Sequence, residues 1–103
     1  MKVLDIGANA GFYTLAFSHL VSETGHVWAL EPFAGNVAYL LTHIRHNRLR
    51  NASVIQAAVG DRDGMTGFQV GDSDCTGHIH DVSPYKIPVV SLDGLVAAGI
   101  FNF

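Results

Sequence analysis

At 103 residues, 49% of them hydrophobic and 15% charged, the chain has the composition of one globular domain with a buried core, not of a disordered segment. A formal net charge of −3 gives no electrostatic reason for a nucleic-acid or membrane-surface partner, and no run reaches the ~20 apolar residues of a membrane span. Cys75 is the only cysteine, which excludes an internal disulfide; with no signal-peptide pattern at MKVLDIG, a reducing, cytoplasmic setting is expected.

The chain opens on Val3-Leu4-Asp5-Ile6, an apolar run with the look of a buried parallel strand. Gly7 and Gly11 follow, with Ala8, Asn9 and Ala10 between them, and then a segment of helical spacing in which Phe12, Leu15, Ala16 and Leu20 share an apolar face. Ser22-Glu23-Thr24-Gly25 ends that helix, Gly25 suiting a left-handed position past its end. A second strand is expected from His26 to Glu31, stopped by Pro32, and Asn36 is an N-cap candidate for a second helix. The core face of that helix reads Val37, Leu40, Leu41 and Ile44, and Arg45, His46 and Arg48 gather where positive charge suits its C-terminal dipole. A third strand is expected from about Ser53 to Ala58. The β-α-β-α-β order predicts three parallel strands with right-handed crossovers, a Rossmann-like α/β fold whose cofactor-binding half is residues 1–60.

Residues 61–103 complete the single domain with a hairpin and loop region and a last helix. Asp63-Gly64 reads as a tight turn and Met65 to Val70 as a short strand folding back; residues 71–84 read as a loop. Lys86 to Val90 is a further short strand, and Ser91 caps a helix from Leu92 to Ala98 that Gly99 ends.

A glycine-rich turn between strand and helix lets backbone approach a ligand closely, and the helix start offers unpaired N–H groups. That is the pattern of the first βα turn of a nucleotide-binding half. DIGANAGFYT, WALEP, AAVGDRDG and PVVSLDGL, in this order, resemble the FkbM family of S-adenosylmethionine-dependent methyltransferases over almost the whole chain. The resemblance implies a class I methyltransferase fold, S-adenosyl-L-methionine as cofactor, and methylation of a hydroxyl oxygen on a sugar, polyketide or other small metabolite. It puts Asp5, Gly7, Asn9 and Gly11 at the cofactor turn and makes Glu31 the ribose-binding acid; Ala8, within the turn, is a further cofactor-binding candidate.

The chemistry of these residues agrees. Glu31 follows Gly7 by 24 positions, at the end of the second strand, where its carboxylate can accept from both ribose hydroxyls and would repel a 2′-phosphate. S-adenosylmethionine has no phosphate, so the turn need not keep the GxGxxG spacing; Gly7-x-Asn9-x-Gly11 does not, which counts against a nicotinamide-dependent oxidoreductase. Asp5 inside the strand is costly to bury alone; the cofactor's cationic amine would pair with it, directly or through water, and a helix-capping role is the rival reading. Ala58 and Val59 follow the third strand, where the adenine should sit on backbone groups and apolar packing, with Asp61 as second-choice partner.

Cys75, His78 and His80, with Asp72, Asp74 and Asp81, are metal-ligand types within ten residues, but their spacing matches no closed zinc motif, so a solvated loop and no metal are expected. No residue declares itself the catalytic base. A non-catalytic nucleotide-binding module is the remaining alternative. In the doubly wound order the first strand is central, yet nothing after Val90 supplies a parallel fourth strand. The domain therefore reads as partial, with a sheet edge open to self-association beside its small hydroxylated acceptor.

Overall fold

A computed structural model describes residues 1–70, 77–79 and 86–99. Its first half is β1 (Lys2–Ile6), α1 (Phe12–Val21), β2 (His26–Leu30), α2 (Ala34–His46) and β3 (Ala52–Ile55). The three strands are parallel in the order β1-β2-β3, with Lys2 opposite His26, Ile6 opposite Leu30, and Leu30 opposite Ile55. β2 is central, and Val27, Trp28, Ala29 and Leu30 are all buried, the continuous apolar run of a parallel strand covered on both faces. Alternation along the strands divides the core. Ala29 packs with Ala8, Leu40, Ile44 and Val54 beneath α2, while Trp28 and Leu30 face Leu4, Ile55, Val59, Val90 and Leu95.

The second half is β4 (Ala58–Val59), β5 (Gly64–Val70), β6 (Gly77–Ile79), β7 (Lys86–Val90) and α3 (Leu92–Ala97). It forms a second sheet in the order β4-β7-β5-β6, with β4 and β7 parallel and β5 antiparallel to both β7 and β6. The fold is a partial Rossmann-like α/β arrangement. Among the described residues no helix is long and apolar enough to cross a membrane.

Several expectations need correction. The third strand is not one run from Ser53 to Ala58. Ala57 N–H donates to the Ile55 carbonyl at 3.1 Å, a turn centred on Gln56 that takes Ala58 and Val59 out of the first sheet and into the second. β5 folds back as expected, but against β7. Part of the expected loop, Gly77–Ile79, is β6, paired with Phe68 to Val70; Asp72, Asp74, Cys75, His80 and Asp81 lie outside the described residues.

α1 buries Thr14, Ser18 and Val21 rather than Phe12, Leu15, Ala16 and Leu20; Phe12 is 79% exposed and Leu20 71%. The buried hydroxyls are affordable because each has a partner: Thr14 Oγ1 donates to Asp5 Oδ2 at 2.6 Å and Ser18 Oγ to Asn51 Oδ1. The positive φ past α1 falls instead on Ser22, at φ 58° and ψ −167°, outside the left-handed helical region. Gly25 is instead required by space, since a Cβ there would lie 2.3 Å from the Met1 carbonyl oxygen. In α2 the N-cap is Phe33, and Asn36 sits inside the first turn; Val37 and Leu40 are buried, but Leu41 is exposed. Ser91 caps α3 as expected, its Oγ accepting from Gly94 N–H at 3.0 Å, while Asp63 Oδ1 accepts from Ser91 N–H at 2.7 Å.

Candidate cofactor site

Parallel pairing sets the C-terminal ends of β1 and β2 side by side, which brings the glycine turn against Glu31. The turn winds through left-handed backbone at alternate positions, with φ 71° at Gly7, 51° at Asn9 and 102° at Gly11. Four of its amides are committed within the protein. Gly7 and Ala8 N–H both donate to the Leu30 carbonyl, at 2.8 and 3.2 Å, and Gly11 N–H donates to the Ala8 carbonyl at 3.0 Å. Asn9 N–H donates to Glu31 Oε1 at 2.8 Å. From α2, His43 Nδ1–H donates to the Ala10 carbonyl at 2.6 Å. These four amides are therefore not free for a ligand, whereas α1 starts at Phe12 with no side-chain cap, so the unpaired N–H groups expected at the helix start lie just past the turn.

The two glycines serve different ends. A Cβ on Gly7 would meet nothing within 4 Å, so the space above it is open and only its backbone conformation calls for glycine. A Cβ on Gly11 would lie 2.5 Å from Leu40 Cδ1, so this glycine also lets α2 approach the turn.

Glu31 is 3% exposed, and three uncharged donors hold its carboxylate: Asn9 N–H on Oε1, and Phe33 N–H at 2.9 Å and Asn36 Nδ2 at 3.3 Å on Oε2. A carboxylate offers about four lone-pair positions. Both on Oε2 are used, so one position remains, on Oε1 beside the turn. This arrangement accepts one further hydroxyl, not the two anticipated from the sequence. Asp5 is also buried, with Oδ2 engaged by Thr14 and Oδ1 bonded to no described residue.

Ala8 and Ala58 turn their side chains into the core, Ala8 beside Ala29 and Leu40, Ala58 beside Ile87; Val59 packs with the Trp28 and Leu30 cluster. Asp5, the turn and Glu31 therefore converge, whereas Ala58 and Val59 belong to the second sheet. Sequence reasoning missed Thr14, His43 and Asn36 as supporting residues. Asn36 has the residue type of a cap, but its place five residues after the acid is the signal for a tertiary role. A cavity of about 360 Å³ lined by Ser18, Arg48, Arg50 and Asn51, among others, lies at the opposite ends of the strands and takes no part in this cleft.

These residues could hold a phosphate-free nucleoside: a buried acid with one acceptor position left on the oxygen bonded to the turn, open space over Gly7, and four turn amides already bonded within the protein.

Residues 5–99 of the chain match the methyltransferase FkbM domain. A methyltransferase FkbM from Methylobacillus flagellatus KT superposes on 99% of the chain with a TM-score of 0.65 at 18% identity, a likeness of fold, and the chain covers 23% of it. A SAM-dependent methyltransferase from Aquifex aeolicus is 35% identical, with a TM-score of 0.53 over 55% of this chain and 30% of that one. The protein-L-isoaspartate O-methyltransferase of Methanothrix thermoacetophila is 31% identical over 68 residues, which are 66% of this chain and 30% of that protein. The chain spans less than a third of the length of these relatives. With all but its first four and last four residues inside the matched domain, the chain belongs to the FkbM methyltransferase family.

Proposed function

We propose that the chain is the cofactor-binding part of an S-adenosylmethionine-dependent methyltransferase that methylates a hydroxyl oxygen of a small metabolite, sugar or polyketide in the cytoplasm. The observation that carries the reading is Glu31, buried at the end of β2 with its last acceptor position beside an open glycine turn. When bound, S-adenosylmethionine supplies an activated methyl group for in-line displacement by an oxygen nucleophile. The chain's own residues bind and orient. Glu31 Oε1 accepts a ribose hydroxyl, and Asp5 Oδ1, its partner oxygen held by Thr14, faces the methionine-end amine directly or through water. The open space over Gly7 admits the ligand against backbone.

Isothermal titration calorimetry with S-adenosylhomocysteine and NADH tests this. Binding of the first and none of the second is expected, because the amides of Gly7, Ala8, Asn9 and Gly11 are spent. NADH binding with no S-adenosylhomocysteine binding would overturn the reading in favour of an oxidoreductase. Transfer of labelled methyl to a panel of hydroxylated small molecules then separates an enzyme from a module that only holds the cofactor.

A further inference from the structure

Asn36 is the unexplained residue of the cleft. It is 2% exposed, in the first turn of α2, and its Nδ2 donates to Glu31 Oε2 while its Oδ1 is buried with no hydrogen-bond partner among the described residues. An orphaned buried carbonyl is a net cost that an apolar side chain would not carry, so the carbonyl does not account for an amide here. Its donor does. Phe33 N–H and Asn36 Nδ2 together fill Oε2, which leaves the carboxylate's remaining acceptor position on Oε1, the oxygen bonded to Asn9 in the turn.

We infer that Asn36 is a positioning residue for ribose recognition: its amide fixes which oxygen of Glu31 faces a nucleoside hydroxyl. Without Nδ2, Phe33 N–H alone holds Oε2. The terminal carboxylate torsion is intrinsically broad, so the acceptor direction spreads and the hydroxyl contact weakens. Asn36 itself touches no ligand. Its effect passes through Glu31, and the inference rests on the reading of Glu31 as the ribose acid.

The test pairs two variants with two ligands. Asn36→Leu removes the donor and the orphan with the same number of side-chain heavy atoms; Asn36→Asp keeps the shape, removes the donor and sets a second carboxylate beside Glu31. Calorimetry is run on the 103-residue chain with S-adenosylhomocysteine and with its 2′,3′-dideoxy form. Asn36→Leu is expected to weaken S-adenosylhomocysteine about tenfold, the scale of a lost hydrogen bond to a charged group, and Asn36→Asp by more. Neither substitution is expected to change affinity for the dideoxy form, which has no hydroxyl for Glu31 to read. Equal losses on both ligands would mean a merely structural role, and no loss on either would mean none; each overturns the inference. Wild-type protein that binds both ligands equally would instead overturn the assignment of Glu31, and is recognisable without any variant.

Discussion

Glu31 holds the fold together at the same carboxylate through which it is proposed to read a ribose hydroxyl. Replacing it with alanine leaves the amides of Asn9 and Phe33 and the Asn36 side chain without their acceptor. Glu31→Ala should therefore lower unfolding free energy by about 1–3 kcal/mol, the cost of buried donors left unpaired. It should also weaken S-adenosylhomocysteine by roughly 1.5–3 kcal/mol, the scale of hydrogen bonds to a charged group. Urea titration reads the first effect and calorimetry of the folded fraction the second. Gly7 and Gly11 separate along another line. Gly7→Ala strains a left-handed backbone but meets no neighbour, so about 1–2 kcal/mol of stability should be lost. Gly11→Ala adds a clash with Leu40 to the same strain and should cost more, by about 1–3 kcal/mol. Equal costs in denaturant would mean that α2 yields freely around the turn. The meeting of Asp5, the turn and Glu31 was legible in the sequence because parallel strands end side by side. The donors around Glu31 were not, since they come from backbone and from a helix that starts earlier than its cap residues advertise.

At the level of elements, the misreading of α1 has a physical cause. Apolar spacing names the buried face only where burial is apolar, and here Thr14 and Ser18 are buried by virtue of acceptors on β1 and before β3. Thr14→Val keeps the shape and removes the donor to Asp5, so a loss of about 1–3 kcal/mol is expected in urea unfolding, with Thr14→Ser close to wild type. Destabilisation of both variants alike would point to packing of the methyl group instead. The division of β3 from β4 was hidden for a different reason. Ser53 to Ala58 contains neither glycine nor proline, so the turn at Gln56 is a demand of the two sheets and not of local propensity. Where local chemistry alone decides, as at Ser91 and Gly99 around α3, reading and structure agree.

Among the described residues the first sheet ends on β1, and Phe12, Tyr13 and Leu20 turn outward on the helix that follows. Phe12 and Tyr13 meet edge to face at 5.3 Å, and Tyr13 stacks on Phe17 at 6.2 Å, so the exposed apolar groups of α1 form a contiguous stripe. The 103-residue chain is expected to self-associate through this stripe and the adjacent strand edge in sedimentation velocity. Leu20→Lys, far along α1 from the turn, should shift the distribution toward monomer without lowering the melting temperature; a wild-type chain that sediments as monomer at all concentrations would refute the expectation. One further property follows from how the glycine turn is tied down. Leu30, Glu31, Ala8 and His43 hold it from β2, from its own backbone and from α2. Fixing a residue's backbone costs about 1–2 kcal/mol of conformational entropy, and for this loop that loss falls within folding and not at ligand association. The amides of Gly7, Ala8 and Asn9 should accordingly exchange with solvent deuterium as slowly as those of β2, making the glycine turn part of the rigid frame.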